Sequence, residues 1–323
     1  MLAIVCPGQG SQTPGFLTPW LEMPAVRARL ESLSEVAGLD LVAHGTTSDA
    51  DTIKDTAVAQ PLIVAAGLAS VPALFGDADA AAIASLVDVA AGHSVGEITA
   101  AAFAGALADA DAMAFVRERG RGMAAASAVT PTGMSAVLGG DPAEVAATLE
   151  RHGLTPANAN GAGQVVAAGT LDQLAALAAE PPARARVIPL QVAGAFHTTH
   201  MAPAVETLRR QAAGFSTGTP SVALISNADG AVVRDGGEML SRLVSQVSNP
   251  VRWDLCMETL AELGVTGLIE LPPAGTLVGL AKRGLKGVET LALKTPDDLE
   301  AAQRMLHEHG GQTAGSSTAE QEA

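Results

Sequence analysis

The chain has 323 residues, a formal net charge of −15 and an isoelectric point near 4.8; 48 % of it is hydrophobic, with no Tyr and 2 % aromatic residues. That length asks for one large domain or two linked ones, with a core built from Ala, Val, Leu and Ile. The acidity argues against nucleic acid and against anionic membrane surfaces as partners. Cys6 and Cys256 are too few for a disulfide framework and suit a reducing compartment. The apolar run at residues 2–6 lacks the basic leader of a signal peptide, and no stretch of about 20 apolar residues is free of Gly, Pro and charge. A soluble, cytoplasmic protein is expected.

Leu2-Ala3-Ile4-Val5-Cys6, stopped by Pro7-Gly8, reads as a first central strand. Gly8-Gln9-Gly10-Ser11-Gln12 reads as the loop after it, whose glycines let backbone N–H groups approach a ligand. Residues 17–36 show mixed helical periodicity. Residues 57–74 form an apolar helical stretch opened by Gln60-Pro61, where a first turn tolerates proline. Residues 83–89 read as a buried strand and 98–107 as a buried helix rich in Ala and Leu. Between them stands Ala90-Ala91-Gly92-His93-Ser94-Val95-Gly96-Glu97. A serine on a strand-to-helix turn, with Gly92 and Gly96 two residues either side, is the nucleophile elbow pattern. It also sets the Val95 N–H at a helix N-terminus, suited to stabilising an oxyanion. Residues 109–126 read as a helix carrying Arg117, Arg119 and Arg121.

From Met134 the pattern changes. Residues 134–138 read as a strand, then Asp141 caps a helix with Pro142 at its first position and Glu144 placed to reach back. Two strands, 155–160 and 164–168, flank the turn Gly161-Ala162-Gly163. Thr170-Leu171-Asp172-Gln173 repeats the capping signature, and 184–192 supplies a last strand. The order β-α-β-β-α-β is that of a ferredoxin-like unit. It is inserted in a larger α/β domain, because strand and helix patterns resume at 222–225 and 265–271. The expected division is 1–128 with 193–309 as the large domain, 129–192 as the small subdomain, and 310–323 as a disordered tail. There is no fixed repeat and no metal-spaced His/Cys cluster, and His307 and His309 are expected to be solvent-exposed.

A serine hydroxyl is a poor nucleophile unless a base takes its proton. His197 and His200 draw attention because they follow the last small-domain strand, where the chain re-enters the large domain. His93 adjoins Ser94, but neighbours on a sharp turn project in different directions, so it suits bracing the elbow. Arg117, Arg119 and Arg121 are at this point equal candidates for an anion site, and each reads far more readily as a solvated charge on a helix face.

Gly8-Gln9-Gly10-Ser11-Gln12, Ala59-Gln60-Pro61, Gly92-His93-Ser94-Val95-Gly96-Glu97, Arg119-Gly120, Phe196-His197 and Ser248-Asn249-Pro250-Val251 occur in one order along the chain. In that order the chain resembles the malonyl-CoA:acyl-carrier-protein transacylases over residues 2–302. The resemblance implies an α/β-hydrolase-like core with an inserted ferredoxin-like lid. It implies Ser94 as nucleophile and His197 as general base, working through a serine-ester acyl-enzyme in a ping-pong mechanism. By the same likeness the backbone carbonyl of Gln246 orients His197, and the N–H groups of Gln9 and Val95 form the oxyanion hole. Arg119 would bind the free carboxylate of the malonyl group, a task a guanidinium fork suits better than a lysine. Gln60 would support that pocket. In related acyltransferase domains of polyketide synthases a Phe before this His accompanies malonyl, so Phe196 favours malonyl over a methyl-branched unit unless it merely packs. One methyl discriminates by only about 1–3 kcal/mol. Asn158 and Asn160 face the cleft or serve a turn.

The implied substrates are malonyl-CoA and acyl carrier protein, with no metal or redox cofactor. Carrier proteins are acidic, so docking asks for a basic patch; Arg184, Arg186, Lys282, Arg283 and Lys286 are candidates by charge. Leu271-Pro272-Pro273-Ala274-Gly275 departs from the Gly-Pro-Gly-like turn of the family and leaves the geometry of that turn open. An esterase-type hydrolase, a malonate decarboxylase subunit and a non-catalytic carrier-binding scaffold are the alternatives. A scaffold needs none of Ser94, His197 and Arg119, and a neutral ester gives Arg119 no task. The length favours a discrete protein over a synthase domain, and nothing asks for more than a monomer.

Overall fold

The first apolar run forms a strand buried along its whole length, as a central parallel strand must be. The computed structural model describes residues 1–311, so of the expected tail 310–323 only Gly310 and Gly311 lie within the described residues. In chain order the strands are β1 (Leu2–Cys6), β2 (Val89–Gly92), β3 (Thr132–Gly139), β4 (Thr155–Ala159), β5 (Gln164–Thr170) and β6 (Ala185–Pro189). They continue as β7 (Ala223–Ile225), β8 (Val232–Val233), β9 (Val251–Arg252), β10 (Gly267–Glu270) and β11 (Glu289–Ala292).

Six strands make one sheet in the order β11-β10-β1-β2-β7-β8, parallel except for β8. Helices cover both faces of it, so the chain has the expected α/β architecture. In the β1/β2 register Cys6 lies opposite Gly92. The loops after the two strands therefore emerge side by side at the C-terminal edge of the sheet, where open α/β sheets bind ligands.

The second sheet has the order β6-β3-β5-β4-β9. Its first four strands pair antiparallel in the ferredoxin-like order. The helices Pro142–Arg151 and Leu171–Ala179 close one face around Val137, Leu149 and Leu177. Asp141 caps the first by accepting from Ala143 and Glu144 N–H. Glu144 does not reach back as expected; its carboxylate accepts the Ala183 N–H at 2.8 Å, tying the helix to the approach of β6. Thr170 and Gln173 make the reciprocal capping box. β9 joins this sheet parallel to β4, although it lies far beyond residue 192.

Three local expectations are corrected. Residues 83–89 are not one strand: Asp79 caps a short helix, Ala80–Ala84, and β2 begins only at Val89. The Ala-rich run follows its own helix propensity there, and the apolar count alone could not separate the two. The elbow helix spans Gly96–Phe103 and stops before 107, because Gly105 turns the chain at φ +77°. The helix Thr56–Phe75 begins under an Asp55 cap, which puts Pro61 in its interior rather than its first turn.

That helix is also long and apolar enough, at 20 residues and a mean hydropathy of 1.8, to cross a membrane by length and composition alone. It carries Pro61, Gly67 and Pro72, in line with the expectation that no such stretch is free of Gly and Pro. Here 72 % of its most apolar 18 residues are buried inside the protein. It packs against the helices Pro24–Ala37, Gly96–Phe103 and Asp109–Ser127, so apolar residues are needed on every side.

The departure at Leu271-Pro272-Pro273-Ala274-Gly275 has its own support. Buried Glu270, at the end of β10, accepts the N–H groups of Gly275, Leu277 and Val278 at 2.8–3.0 Å. It thereby holds the start of the helix Thr276–Gly284 against the strand end.

Candidate active site

Ser94 sits between β2 and the Gly96–Phe103 helix with φ +54°, a left-handed conformation that a serine rarely adopts. The flanking glycines are needed for space rather than for φ. A Cβ on Gly92 would lie 2.1 Å from the Gly96 carbonyl carbon, and one on Gly96 would lie 2.1 Å from the Cys6 carbonyl oxygen. Turn, helix and β1 are pressed together there, and the strain falls on Ser94. Gly92→Ala is expected to cost roughly 1–3 kcal/mol or more in stability, since backbone atoms cannot yield as a side chain would. An unchanged urea midpoint would contradict that.

Asn227, in the loop between β7 and β8, locks the turn. Its Oδ1 accepts the Ser94 N–H at 2.7 Å and its Nδ2 donates to Gly92 O at 2.7 Å.

Ser94 Oγ lies 2.7 Å from His197 Nε2. His197 Nδ1 lies 3.0 Å from the Gln246 carbonyl, which can only accept. Nδ1 therefore carries the hydrogen and Nε2 is the bare nitrogen that accepts from Ser94. His197 itself has φ +60°, so both partners of this contact sit in left-handed backbone. Burial, and after it the charge of Arg119, pushes its imidazole down to about 3, against the pull of the Gln246 carbonyl. The ring is neutral across the ordinary pH range.

Of the three arginines on the Asp109–Ser127 helix, Arg119 is the buried one, at 1 % exposure. Gly120 beside it lets the helix approach Thr56, where a Cβ would lie 2.9 Å from the Thr56 carbonyl oxygen. Arg119 Nη1 donates to Gln60 Oε1 at 2.7 Å; Nη2 reaches Ser94 Oγ and Gln246 Oε1, each at 3.3 Å. Burial pulls the guanidinium down to about 10 while Glu97 opposes, so it remains charged. Arg117 instead donates to the Val36 carbonyl and to Glu118, and Arg121 pairs with Glu118. The choice that spacing left open is thus made by packing.

Gln60 also donates to Gln9 Oε1 at 3.4 Å, which brings the Gly8–Gly10 loop to the same place. Among the described residues neither the Gln9 nor the Val95 N–H donates to another protein group. Phe196 is buried in the main core next to His197. His200 donates its backbone N–H to Thr198 Oγ1, and no hydrogen bond joins it to Ser94 among the described residues.

His93 braces the elbow as expected. Its Nε2 lies 2.9 Å from Asn160 Oδ1, and its ring stands edge-on to Trp253 at 5.8 Å between centroids. His93, Asn158, Asn160, Gln9 and Gln164 border a cavity of about 430 Å³ between the second sheet and the Thr276–Gly284 helix. Asn158 Oδ1 is buried there without a protein partner among the described residues. All five basic candidates, Arg184, Arg186, Lys282, Arg283 and Lys286, are exposed. Arg283 borders this cavity and donates to Gln164 at 3.3 Å, whereas Arg184 borders a separate hollow with Gly140, Asp141 and Pro142.

His309 is not solvated as expected. Its ring packs on Gly267 and bridges Thr266 and Glu289, a position set by the last helix docking on the sheet. Glu289, Glu308 and His309 bring possible ligand atoms within 4.8 Å of one another, but Arg304 pairs with both carboxylates.

Sequence reasoning missed Asn227, and it gave Glu97 no task. Asn227 follows a short strand and carries no motif of its own. Glu97 stands in the elbow motif, yet an acid in a first helical turn reads as a partner of the helix dipole, not as a buried group.

The acyl transferase domain family model matches residues 3–314. The malonyl CoA-acyl carrier protein transacylase of Mycobacterium tuberculosis is 52 % identical over 300 residues, covering 93 % of this chain and 98 % of that one. A crystal structure of MCAT from Mycobacterium tuberculosis superposes with a TM-score of 0.87 at 50 % identity, covering 94 % of this chain and 99 % of the other. A structure described as a type II polyketide synthase acyl carrier protein in complex with its malonyl-transacylase matches with a TM-score of 0.84 at 29 % identity, covering 94 % and 99 %. With an elbow serine, a neutral histidine and a buried arginine meeting at one point, and with relatives of this name along almost its whole length, the chain belongs to the malonyl CoA-acyl carrier protein transacylases of the acyl transferase family.

Proposed function

We propose that the protein moves a malonyl group from malonyl-CoA to the phosphopantetheine thiol of acyl carrier protein, supplying extender units for fatty-acid or polyketide synthesis. One observation carries this: Ser94 Oγ stands between the bare nitrogen of a neutral imidazole at 2.7 Å and a buried guanidinium at 3.3 Å. A nucleophile needs the first, and a substrate with a free carboxylate next to its acyl carbon needs the second.

In the first half-reaction His197 Nε2 takes the Ser94 proton as Oγ attacks the thioester carbonyl. The oxyanion is received by the Gln9 and Val95 N–H groups, each such donor being typically worth about 2.7–4 kcal/mol. Collapse breaks the C–S bond, and the imidazolium returns its proton to the departing coenzyme A thiol. The carrier thiol then attacks the Ser94 ester by the same steps in reverse. The Gln246 carbonyl holds the tautomer and ring direction of His197, the part a carboxylate plays in other hydrolase-like sites. Arg119, supported by Gln60, holds the malonyl carboxylate, and Phe196 crowds a branched unit.

The reaction requires no metal or redox group. Residues 1–128 with 193–309 form the catalytic domain and 129–192 its lid, and the bordering cavity suits the pantetheine arm. All the named groups come from one chain, which fits a monomer. The buried, free Cys6 and Cys256 suit the cytoplasm.

Intact-protein mass spectrometry after brief incubation with malonyl-CoA tests this. The wild type is expected to gain a malonyl adduct that carrier protein discharges, and Ser94→Ala to gain none. Free malonate accumulating without an adduct would point to a hydrolase, and neither adduct nor turnover would leave a binding protein.

A further inference from the structure

Glu97 lies buried at the start of the elbow helix, 1 % exposed, and the transfer steps give it no task. Its Oε1 accepts the Asn227 backbone N–H at 2.6 Å, and its Oε2 accepts the Gln246 side-chain amide. The other end of that amide, Oε1, accepts from Arg119 Nη2 at 3.3 Å. Carboxylate and guanidinium are therefore joined through an amide rather than face to face. The fork of Arg119 is left turned toward Gln60 and Ser94. Gln246 also offers its backbone carbonyl to His197, so one residue connects the acid, the arginine and the base.

A buried guanidinium is costly without a negative partner, and Glu97 supplies one when the cleft is empty and its carboxyl is ionised. A substrate carboxylate on Arg119 would be a second negative charge beside a single positive one, and like charges sharing a site disfavour each other's ionisation. We propose that Glu97 is a positioning residue: in alkaline solution it is the ionised counter-charge of Arg119 in the empty enzyme, and there it takes up a proton from solvent when a terminal carboxylate of the substrate occupies Arg119. This inference rests on the malonyl-transfer reading above.

The environment supports it. Burial pushes the Glu97 carboxyl up to about 8, with the Asn227 N–H and the Arg119 charge pulling the other way. Arg119 faces it from the Asp109–Ser127 helix, and Arg242 from the Gly236–Gln246 helix, where Arg242 is held by Asp229 and Glu238. Cys256, on the Trp253–Glu262 helix, is a buried thiol pushed up and stays neutral. His197, bound to Gln246, is neutral as well.

The sign follows from linkage. An anion bound beside Glu97 favours its protonated form, so binding takes up protons and weakens as pH rises past the ionisation of the empty enzyme. The KM for malonyl-CoA in wild type is expected to rise roughly tenfold between pH 7 and pH 9, with kcat held, because one proton is linked to binding. In Glu97→Gln the KM is expected to stay level over that range. A level KM in wild type, or the same rise in folded Glu97→Gln, would overturn the assignment.

Should Glu97→Gln fail to fold, calorimetric binding of malonyl-CoA to Ser94→Ala at pH 8, in two buffers of different ionisation enthalpy, serves instead. Uptake of about half a proton is expected with malonyl-CoA and none with acetyl-CoA. Equal values for the two would overturn the assignment. If malonyl-CoA neither binds nor loads the wild type, the transfer reading itself fails; loading with a pH-independent KM and no proton uptake removes only the role of Glu97.

Discussion

Arg119→Ala is expected to lower malonyl loading of Ser94 by roughly 10²- to several-10³-fold while acetyl loading persists or rises. Removing one partner of a buried charge pair costs about 3–5 kcal/mol, and each 1.4 kcal/mol is about a factor of ten. The loss should fall on malonyl alone, because an acetyl group offers the guanidinium nothing. In the wild type an acetyl group would even leave buried Arg119 facing an uncharged methyl. Arg119→Lys is expected to recover little, since an ammonium cannot span Gln60, Gln246 and a carboxylate at once. Parallel single-turnover loading with malonyl-CoA and acetyl-CoA checks this, and unchanged malonyl loading in Arg119→Ala would take Arg119 out of the site.

His197→Ala is expected to slow loading by roughly 10²- to 10⁴-fold, the usual worth of a positioned general base, with substrate binding nearly intact. The wild-type pH profile should carry a related signature. A histidine with an ordinary ionisation would be half protonated near pH 6.5 and the rate would fall below it. Burial and Arg119 hold His197 down to about 3, so it stays a free base and the loading rate should show no acid limb between pH 5 and pH 7. A limb near pH 6.5 in single-turnover loading would contradict the neutral, buried histidine.

Much of the site was legible because its chemistry is local in sequence. The elbow is a strand, a strained residue and a helix in succession, and the glycines that make it possible are themselves the motif. Arg119-Gly120 and Phe196-His197 could be placed only through the ordered resemblance, since an arginine on a helix face looks the same whether it is buried or solvated. Burial is decided by the partner helix, here through the close approach of Gly120 to Thr56. Asn227 and the task of Glu97 were illegible for a related reason: each is a polar residue with a key partner more than 100 positions away. The ferredoxin-like unit was read from its caps and alternation, which are again local. The pairing of β9 with β4 joins residues about 93 positions apart (Val251 with Asn158) and leaves no local trace. Strand limits failed at 83–89 because a short apolar count does not by itself separate a helix from a strand.

β9 also bears on how the cleft can open. It follows directly on Gln246, Asn249 and Pro250, and its two residues hydrogen-bond into the edge of the small sheet at Asn158 and Ala159. The segment whose Gln246 carbonyl meets His197 is thus stitched to the small sheet. A hinged swing of the small sheet would drag that segment with it and shift the Gln246 carbonyl away from His197. For anyone transplanting the 129–192 insert between relatives, the same seam is a warning: cut out alone, it exposes β4 as a bare sheet edge, a template for aggregation.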